Sequence, residues 1–499
     1  MLTAPDPGRL RLRNASRAVV GVALAVALSG VSGLTMTGAI VGGLAALLAL
    51  FTVTDATVGA QRVTTALLPA AGVPALALAS ALHGLPLARD AVFVGVVFCG
   101  VYARRWGARG HALGIFAFMH FFVAQFLGAV PAQLAELYAA MALGLLASGT
   151  VRFVLWRVER RTPPAPAPPA LPGTGLARPT TRQAVQATVA CALALLAGQV
   201  ISEDRWYWAV GAAWWIFVNT VSRGETLVRG FRRVLGTVTG IVVGLLVAVP
   251  LRGEPAPTAV LVAVCVFGIF YTAAVSYSWM TLAVTVLVSS LYGLLGVLEP
   301  GLLALRLAET GVGAVCAALA VVLVLPVTTH ATNDAWIRRA LHCVHAATRE
   351  AAARLAGDPG KDPAPYAAEL ELLLGRVRTA LAPLVHPLNP FRARKARARQ
   401  VIALLDDCAR EVRGLVSVAA DPVASHDPRL VAACWRVEAA MEAVTASGVG
   451  SGRETAGTHT ADERGAAAAA LVHLYGLERA LSALATPLRT APRSPSAGS

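Results

Sequence analysis

Two stretches of this chain run without a charged residue for longer than a soluble core uses, residues 18–54 and residues 255–298. A membrane crossing takes roughly 20 apolar residues, so each stretch is long enough for two transmembrane helices. With 56% hydrophobic and only 14% charged side chains over 499 positions, the apolar surplus has to face lipid. A secretory signal peptide pairs one short apolar region with a cleavage site. Here the first apolar stretch runs straight into others, so a retained first helix is expected.

The formal net charge of +15 raises the question of nucleic acid, and the position of the charges answers it. Residues 1–329 hold 22 Arg against 11 Asp plus Glu, placing most of the excess in the apolar part. No Arg or Lys run alternates with exposed aromatics, so nucleic acid is not an expected partner. Seven cysteines are scattered without metal-ligand or disulfide-framework spacing, which fits small buried apolar residues. No Ser/His/Asp set, phosphate-binding glycine loop or zinc ligand set stands out. The expectation is therefore a non-enzyme without metal or cofactor.

With Arg clusters, Pro and Gly as punctuation, transmembrane helices are expected near 18–33, 36–54, 63–82, 87–103, 112–130 and 134–156. A second set follows near 184–201, 206–222, 234–251, 257–275, 278–297 and 306–326. Cytoplasmic loops collect Lys and Arg, and here every second loop does so. One side receives Arg9 to Arg17, then Arg62, Arg104 with Arg105 and Arg109, Arg157 to Arg182, the Arg223 to Arg233 group, and Arg338 with Arg339. The other side has isolated arginines beside acids, such as Arg89 with Asp90 and Arg205 with Asp204. Both termini are therefore expected in the cytoplasm of a multi-pass cell-membrane protein. The expected fold is all-α, with about twelve transmembrane helices in two six-helix halves and a cytoplasmic helical domain. Residues 1–160 form the first half, 161–182 a Pro-rich linker, 183–329 the second half, 330–490 the helical domain and 491–499 a disordered tail.

The halves show a faint repeat at an offset of about 172 residues. Gly59-Ala60-Gln61-Arg62-Val63 lies over Gly230-Phe231-Arg232-Arg233-Val234, and Gln133-Leu134-Ala135-Glu136 over Arg306-Leu307-Ala308-Glu309. Six spans per half make the repeat parallel. The run Arg233-Val234-Leu235-Gly236-Thr237-Val238-Thr239-Gly240 resembles the Arg-x-x-Gly-Thr-x-x-Gly of the fusaric acid resistance protein-like family of membrane transporters, which includes aromatic carboxylic acid exporters. Arg306-Leu307-Ala308-Glu309-Thr310-Gly311-Val312-Gly313 is similar to a second piece of that family, which more usually has Asp where Glu309 stands. The resemblance is best over residues 184–326, and the first half has Thr65-Ala66 where Gly-Thr would stand.

These segments supply the candidate residues. Arg233, expected where the eighth helix returns to the cytoplasmic surface, either snorkels to lipid phosphates or gathers an anion with its planar fork. Thr237 adds a hydroxyl beside it. Arg306 and Glu309 share a helix face and read either as a structural ion pair or as a substrate or proton site. Glu136 is the equivalent acid of the first half. Trp215 and Asn219 are candidates to stack and bond an aromatic ligand, while Trp206, Tyr207 and Trp208 fit an interfacial belt. Gly236, Gly240 and Gly244 recur every four residues, as a packing face or a sliding contact.

From residue 330 the chain turns to charged, Ala-rich helix near 332–356, 364–386, 391–419, 427–447 and 463–486. Its dense basic patch of Arg392, Arg394, Lys395, Arg397 and Arg399 reads as a headgroup contact or a solvated face. Ranges 448–457 and 487–499 are expected to be disordered. The function expected is efflux of small organic anions such as aromatic carboxylic acids. The alternatives are a channel-like anion conductor and a non-transporting scaffold whose cytoplasmic domain binds partners. Membrane lipids and the organic anion are the expected partners, with a homo-oligomer left open.

Overall fold

The computed structural model describes residues 6, 9–159, 175–218, 220, 223–248, 250–251, 253–325, 329–356, 358, 360–385, 392–420, 428–445 and 466–489. Asn219, the Pro-rich run 163–169 and the range 448–457 lie outside them. Regular structure among the described residues is entirely helical, in two compact units that divide between residues 325 and 329.

The larger unit begins with α1 (Leu10–Val31), α2 (Met36–Thr52), α3 (Val58–Ala81), α4 (Pro86–Tyr102), α5 (Gly107–Leu127) and α6 (Leu134–Glu159). It continues with α7 (Pro179–Ile201), α8 (Tyr207–Phe217), α9 (Arg223–Ala248), α10 (Pro255–Thr272), α11 (Tyr277–Leu294) and α12 (Pro300–Leu323). The starts follow local chemistry. Proline opens α4, α7, α10 and α12, where its missing N–H is not needed and its fixed φ already suits a helix. Thr35 and Thr57 cap α2 and α3 with their hydroxyls. At the end of α5, Gly128 takes the left-handed conformation (φ 59°) that closes a helix without a Cβ clash.

Nine stretches among the described residues are long and apolar enough to cross a membrane, and one of them, Pro86–Leu127, contains both α4 and α5. Three helices of the larger unit fall short of that length by themselves, α2 and α4 with 17 residues each and α8 with 11. Large apolar side chains point outward along the unit, including Leu246, Val260, Val264 and Leu323. Such a surface suits lipid and not water. The unit's core is aromatic: Phe93 stacks on Phe121 at 4.7 Å, and Phe118 on Trp214 of α8 at 3.9 Å.

Helix pairing follows one pattern twice. In the first six, α1 packs on α2 and α6, α2 on α6, α3 on α5 and α6, and α4 on α5. Six helices on, α7 packs on α8 and α12, α8 on α12, α9 on α11 and α12, and α10 on α11. The sets meet where α4 lies against α7 and α1 against α10.

Small residues make the closest of these contacts. A Cβ at Gly236 would stand 2.5 Å from the carbonyl of Ser278 on α11, and one at Gly240 would stand 2.6 Å from Cβ of Thr285. At Gly244 it would meet Ser289 Oγ at 2.9 Å. The row that begins each contact is therefore a packing surface against α11. On the facing side, Thr281, Thr285 and Ser289 each donate to the carbonyl four residues back in their own helix, at 2.9, 2.9 and 3.0 Å.

The smaller unit is a bundle of α13 (Thr329–Leu355), α14 (Ala364–Val385), α15 (Arg392–Ala420), α16 (Pro428–Thr445) and α17 (Ala466–Arg489). Its core is Leu- and Ala-rich around Val344, Leu373, Leu405, Val437 and Leu481. Ion pairs on its surface join neighbouring helices, Arg339 to Glu369 at 2.9 Å and Arg378 to Asp406 at 2.7 Å. Burial pushes the Cys408 thiol up to about 12, in keeping with a small apolar core residue. Cys99 of α4 differs from the sequence expectation in facing outward. Helix α17 runs past the expected end near 486, through Pro487 to Arg489.

Candidate functional site

Helix α9 begins at Arg223, whereas a start near 234 was expected, and this changes the meaning of its arginines. Arg229, Arg232 and Arg233 lie within the first turns of α9 and not at the returning end of the eighth helix, which stops at Phe217. Arg233 is only 9% exposed and turns toward α11, so a lipid-phosphate anchor is not its place. Its Nη1 donates to the Tyr277 hydroxyl at 3.1 Å, and that hydroxyl donates to the Trp215 carbonyl at 3.4 Å. The Arg229 guanidinium lies over the same tyrosine ring, 3.9 Å from its centre. In both arginines Nε is buried without a hydrogen bond. Thr237, one turn beyond Arg233, is buried too.

Arg306 and Glu309 occupy the early turns of α12, both buried. They share a helix face as expected but do not close on each other: neither oxygen of Glu309 receives a hydrogen bond, and Arg306 Nη1 makes none. Arg306 instead lies over the indole of Trp208, 4.2 Å from its centre. Trp208 Nε1 donates to the Tyr292 hydroxyl at 2.8 Å. Two more cations cover neighbouring rings. Arg205 stands over Tyr292 at 5.7 Å and Arg89 over Trp206 at 4.7 Å, the latter held by Asp90 at 2.8 Å. Gly313, one turn past Glu309, leaves no room for a Cβ against Ala212 and the backbone of α8, and so keeps this face of α12 tight on the aromatic turn.

The first-half acid is placed differently. Glu136 Oε1 accepts from the Thr35 backbone N–H at 2.7 Å and from its hydroxyl at 2.6 Å, anchoring the start of α2. The other end of α2 is held by a residue that sequence reasoning missed. Arg152 of α6, 8% exposed, donates to the carbonyls of Val53 at 2.7 Å, Ala49 at 2.9 Å and Leu50 at 3.1 Å. Its signal was a lone charge between Val151 and Phe153 in an apolar run, where an unpaired cation is costly. The short α8 ends in a similar way: Arg104 donates to the Phe217 carbonyl at 3.1 Å, and Gln183 to that of Thr220. Tyr277 was also missed as an arginine partner. Trp215 lies edge-on to Trp214 at 5.3 Å, and Asn219 is outside the described residues.

The structure thus brings Arg306 and Glu309 together with Trp208 and Tyr292, and Arg233 with Tyr277 and Trp215, along helices that pack on one another. It keeps Glu136 apart, on α6. Among the described residues no group of acidic, His and Cys side chains is arranged to hold a metal ion. No curated protein and no solved structure matches the chain. Residues 190–320, which carry both arginine clusters and Glu309, match the family model described as fusaric acid resistance protein-like, in a chain whose described residues hold nine stretches long and apolar enough to cross a membrane.

Proposed function

We propose that the chain is a secondary transporter that exports small organic anions, aromatic carboxylates among them, along α8, α9, α11 and α12. The observation that carries this reading is a set of buried charges with hydrogen-bonding atoms left over: Nε of Arg233, Nη1 of Arg306 and both oxygens of Glu309. Charges in an apolar helix bundle are expensive unless they meet a partner, and two guanidiniums beside aromatic rings offer a carboxylate both charge and stacking. Glu309 faces the same space three residues from Arg306. When ionised it offsets the arginine's charge, and when protonated it leaves that charge to the substrate.

Twelve spans in two parallel halves form the frame of this reading, with both termini and the helical bundle from Thr329 onward in the cytoplasm. The helix pairing that recurs six helices on supports the two halves, and the alternation of Arg-rich loops supports the orientation. Proteoliposomes loaded with an aromatic carboxylate test it. Export is expected to vary with pH, to fail in Arg306→Gln, and to lose its pH dependence in Glu309→Gln. A wild-type chain that moves no such anion under any proton gradient or membrane potential overturns the proposal.

A further inference from the structure

The larger unit also holds a cleft of about 460 Å³ that belongs to neither arginine cluster. Its size falls in the range of small-molecule sites, roughly 300–1,000 Å³. Asp55 lines it from the turn after α2, Trp106 from the turn before α5, and Ala108, Arg109, Gly110 and Leu113 from α5.

Its two charged side chains have opposite signs and are not spent on each other. Asp55 Oδ2 is shielded from solvent and receives no hydrogen bond, from Arg109 or from any other described residue. Gln61 of α3 bonds the Asp55 backbone carbonyl at 2.8 Å and so holds the turn that carries this carboxylate without satisfying its Oδ2. Arg109 commits Nε to the Thr64 hydroxyl at 3.2 Å, which fixes the guanidinium without neutralising it. Trp106 is 67% exposed, with Arg105 against its ring at 5.9 Å, and Leu113 continues the apolar wall.

We propose that this cleft binds a dipolar small molecule: a cationic group on Asp55, an anionic group on Arg109 and an apolar body against Trp106 and Leu113. A ligand with one charge adds a partner to only one of the two side chains, and leaves the other with what the protein already gives it, the nearby Arg152 for Asp55 or the Thr64 hydroxyl for Arg109. The dipolar ligand satisfies each and adds no net charge. This chemistry is distinct from the anion path on α9 and α12, where arginines outnumber the acid.

Ala108 lines the cleft and gives it a reporter. In the full chain carrying Cys99→Ser, Ala108→Cys is labelled with a maleimide and followed by peptide mass spectrometry at position 108. L-phenylalanine should slow the labelling. 3-Phenylpropionate, which lacks the ammonium, and 2-phenylethylamine, which lacks the carboxylate, should need roughly tenfold higher concentrations, the worth of one lost charged contact. Asp55→Asn should erase the preference for phenylalanine over phenylpropionate, and Arg109→Gln the preference over phenylethylamine. The comparison of the three compounds on the single reporter protein does not depend on these variants folding. Equal protection by phenylpropionate, or no protection by millimolar phenylalanine, overturns the proposal.

Discussion

Glu136 on α6 and Glu309 on α12 stand at matching places in the two sets of six helices, and their surroundings are opposite. Glu136 is half exposed and uses its carboxylate to hold the first residue before α2 through two hydrogen bonds. Glu309 is fully buried and accepts none. The same contrast runs through the arginines. Arg152 in the first set is consumed by the open end of α2, whereas Arg306 in the second rests on an aromatic face with a nitrogen to spare. A charge whose hydrogen bonds are complete is scaffold, and one whose bonds are incomplete in a buried place is available for a ligand or a proton.

The largest expected break in this comparison comes from exchanging the two acids for amides. Glu309→Gln should lower pH-driven flux in proteoliposomes by roughly tenfold or more, a barrier change of about 1.4 kcal/mol. Glu136→Gln should leave flux per folded molecule within about threefold, its effect falling on stability through one capping contact. Equal losses in both would mean that the two halves share the work.

Next comes Arg152→Leu, which strips the donors from three carbonyls at the end of α2. A destabilisation of about 3 kcal/mol is expected, read as a lowered midpoint of thermal unfolding in detergent. Arg152→Lys should recover part of it. Smaller again is Gly240→Ala, which sets a Cβ against Thr285 and should cost about 1–3 kcal/mol in the same assay. Gly95→Ala on α4, where a Cβ meets nothing within 4 Å, should be neutral or slightly stabilising. The smallest effect is expected for Tyr277→Phe. It removes one neutral acceptor from Arg233, worth about 1 kcal/mol, and should lower KM for the anion by less than tenfold, because the anion no longer competes with that hydroxyl.

Helices and their order were legible because charge and proline punctuate apolar runs strongly. Each of the segments expected to be helical in the larger unit carries a helix. What misled was the stretch between Phe217 and Val234. It looked like a helix end followed by a loop because Arg223, Arg229, Arg232 and Arg233 are typical of a cytoplasmic rim. Their periodicity places Arg229 and Arg233 four apart on one face of α9, and the partner that draws them inward, Tyr277, is remote in sequence. Arg152 was missed for a related reason: its acceptors are backbone carbonyls, which leave no mark in the amino-acid pattern. The spacing of Arg306 and Glu309 was readable, but that Arg306 would turn to Trp208 and not to Glu309 depends on how closely Gly313 lets α12 approach α8.

The hydroxyls of Thr281, Thr285 and Ser289 carry their acceptors on their own helix, so nothing across the seam ties α9 to α11 by a hydrogen bond at those positions. Glycines repeat on one side every four residues and hydroxyl side chains on the other with the same interval. A shift of α9 along α11 by that interval, about 6 Å of axial rise, would return glycine to hydroxyl with no hydrogen bond broken along that row. Contacts of that kind hold two helices close without a hydrogen bond that sets their relative height. The ties that reach across are those of Arg233 and Arg229 to Tyr277, and in the export proposed above an anion would compete for these guanidiniums. Occupation of the site and release of the catch would then be a single event.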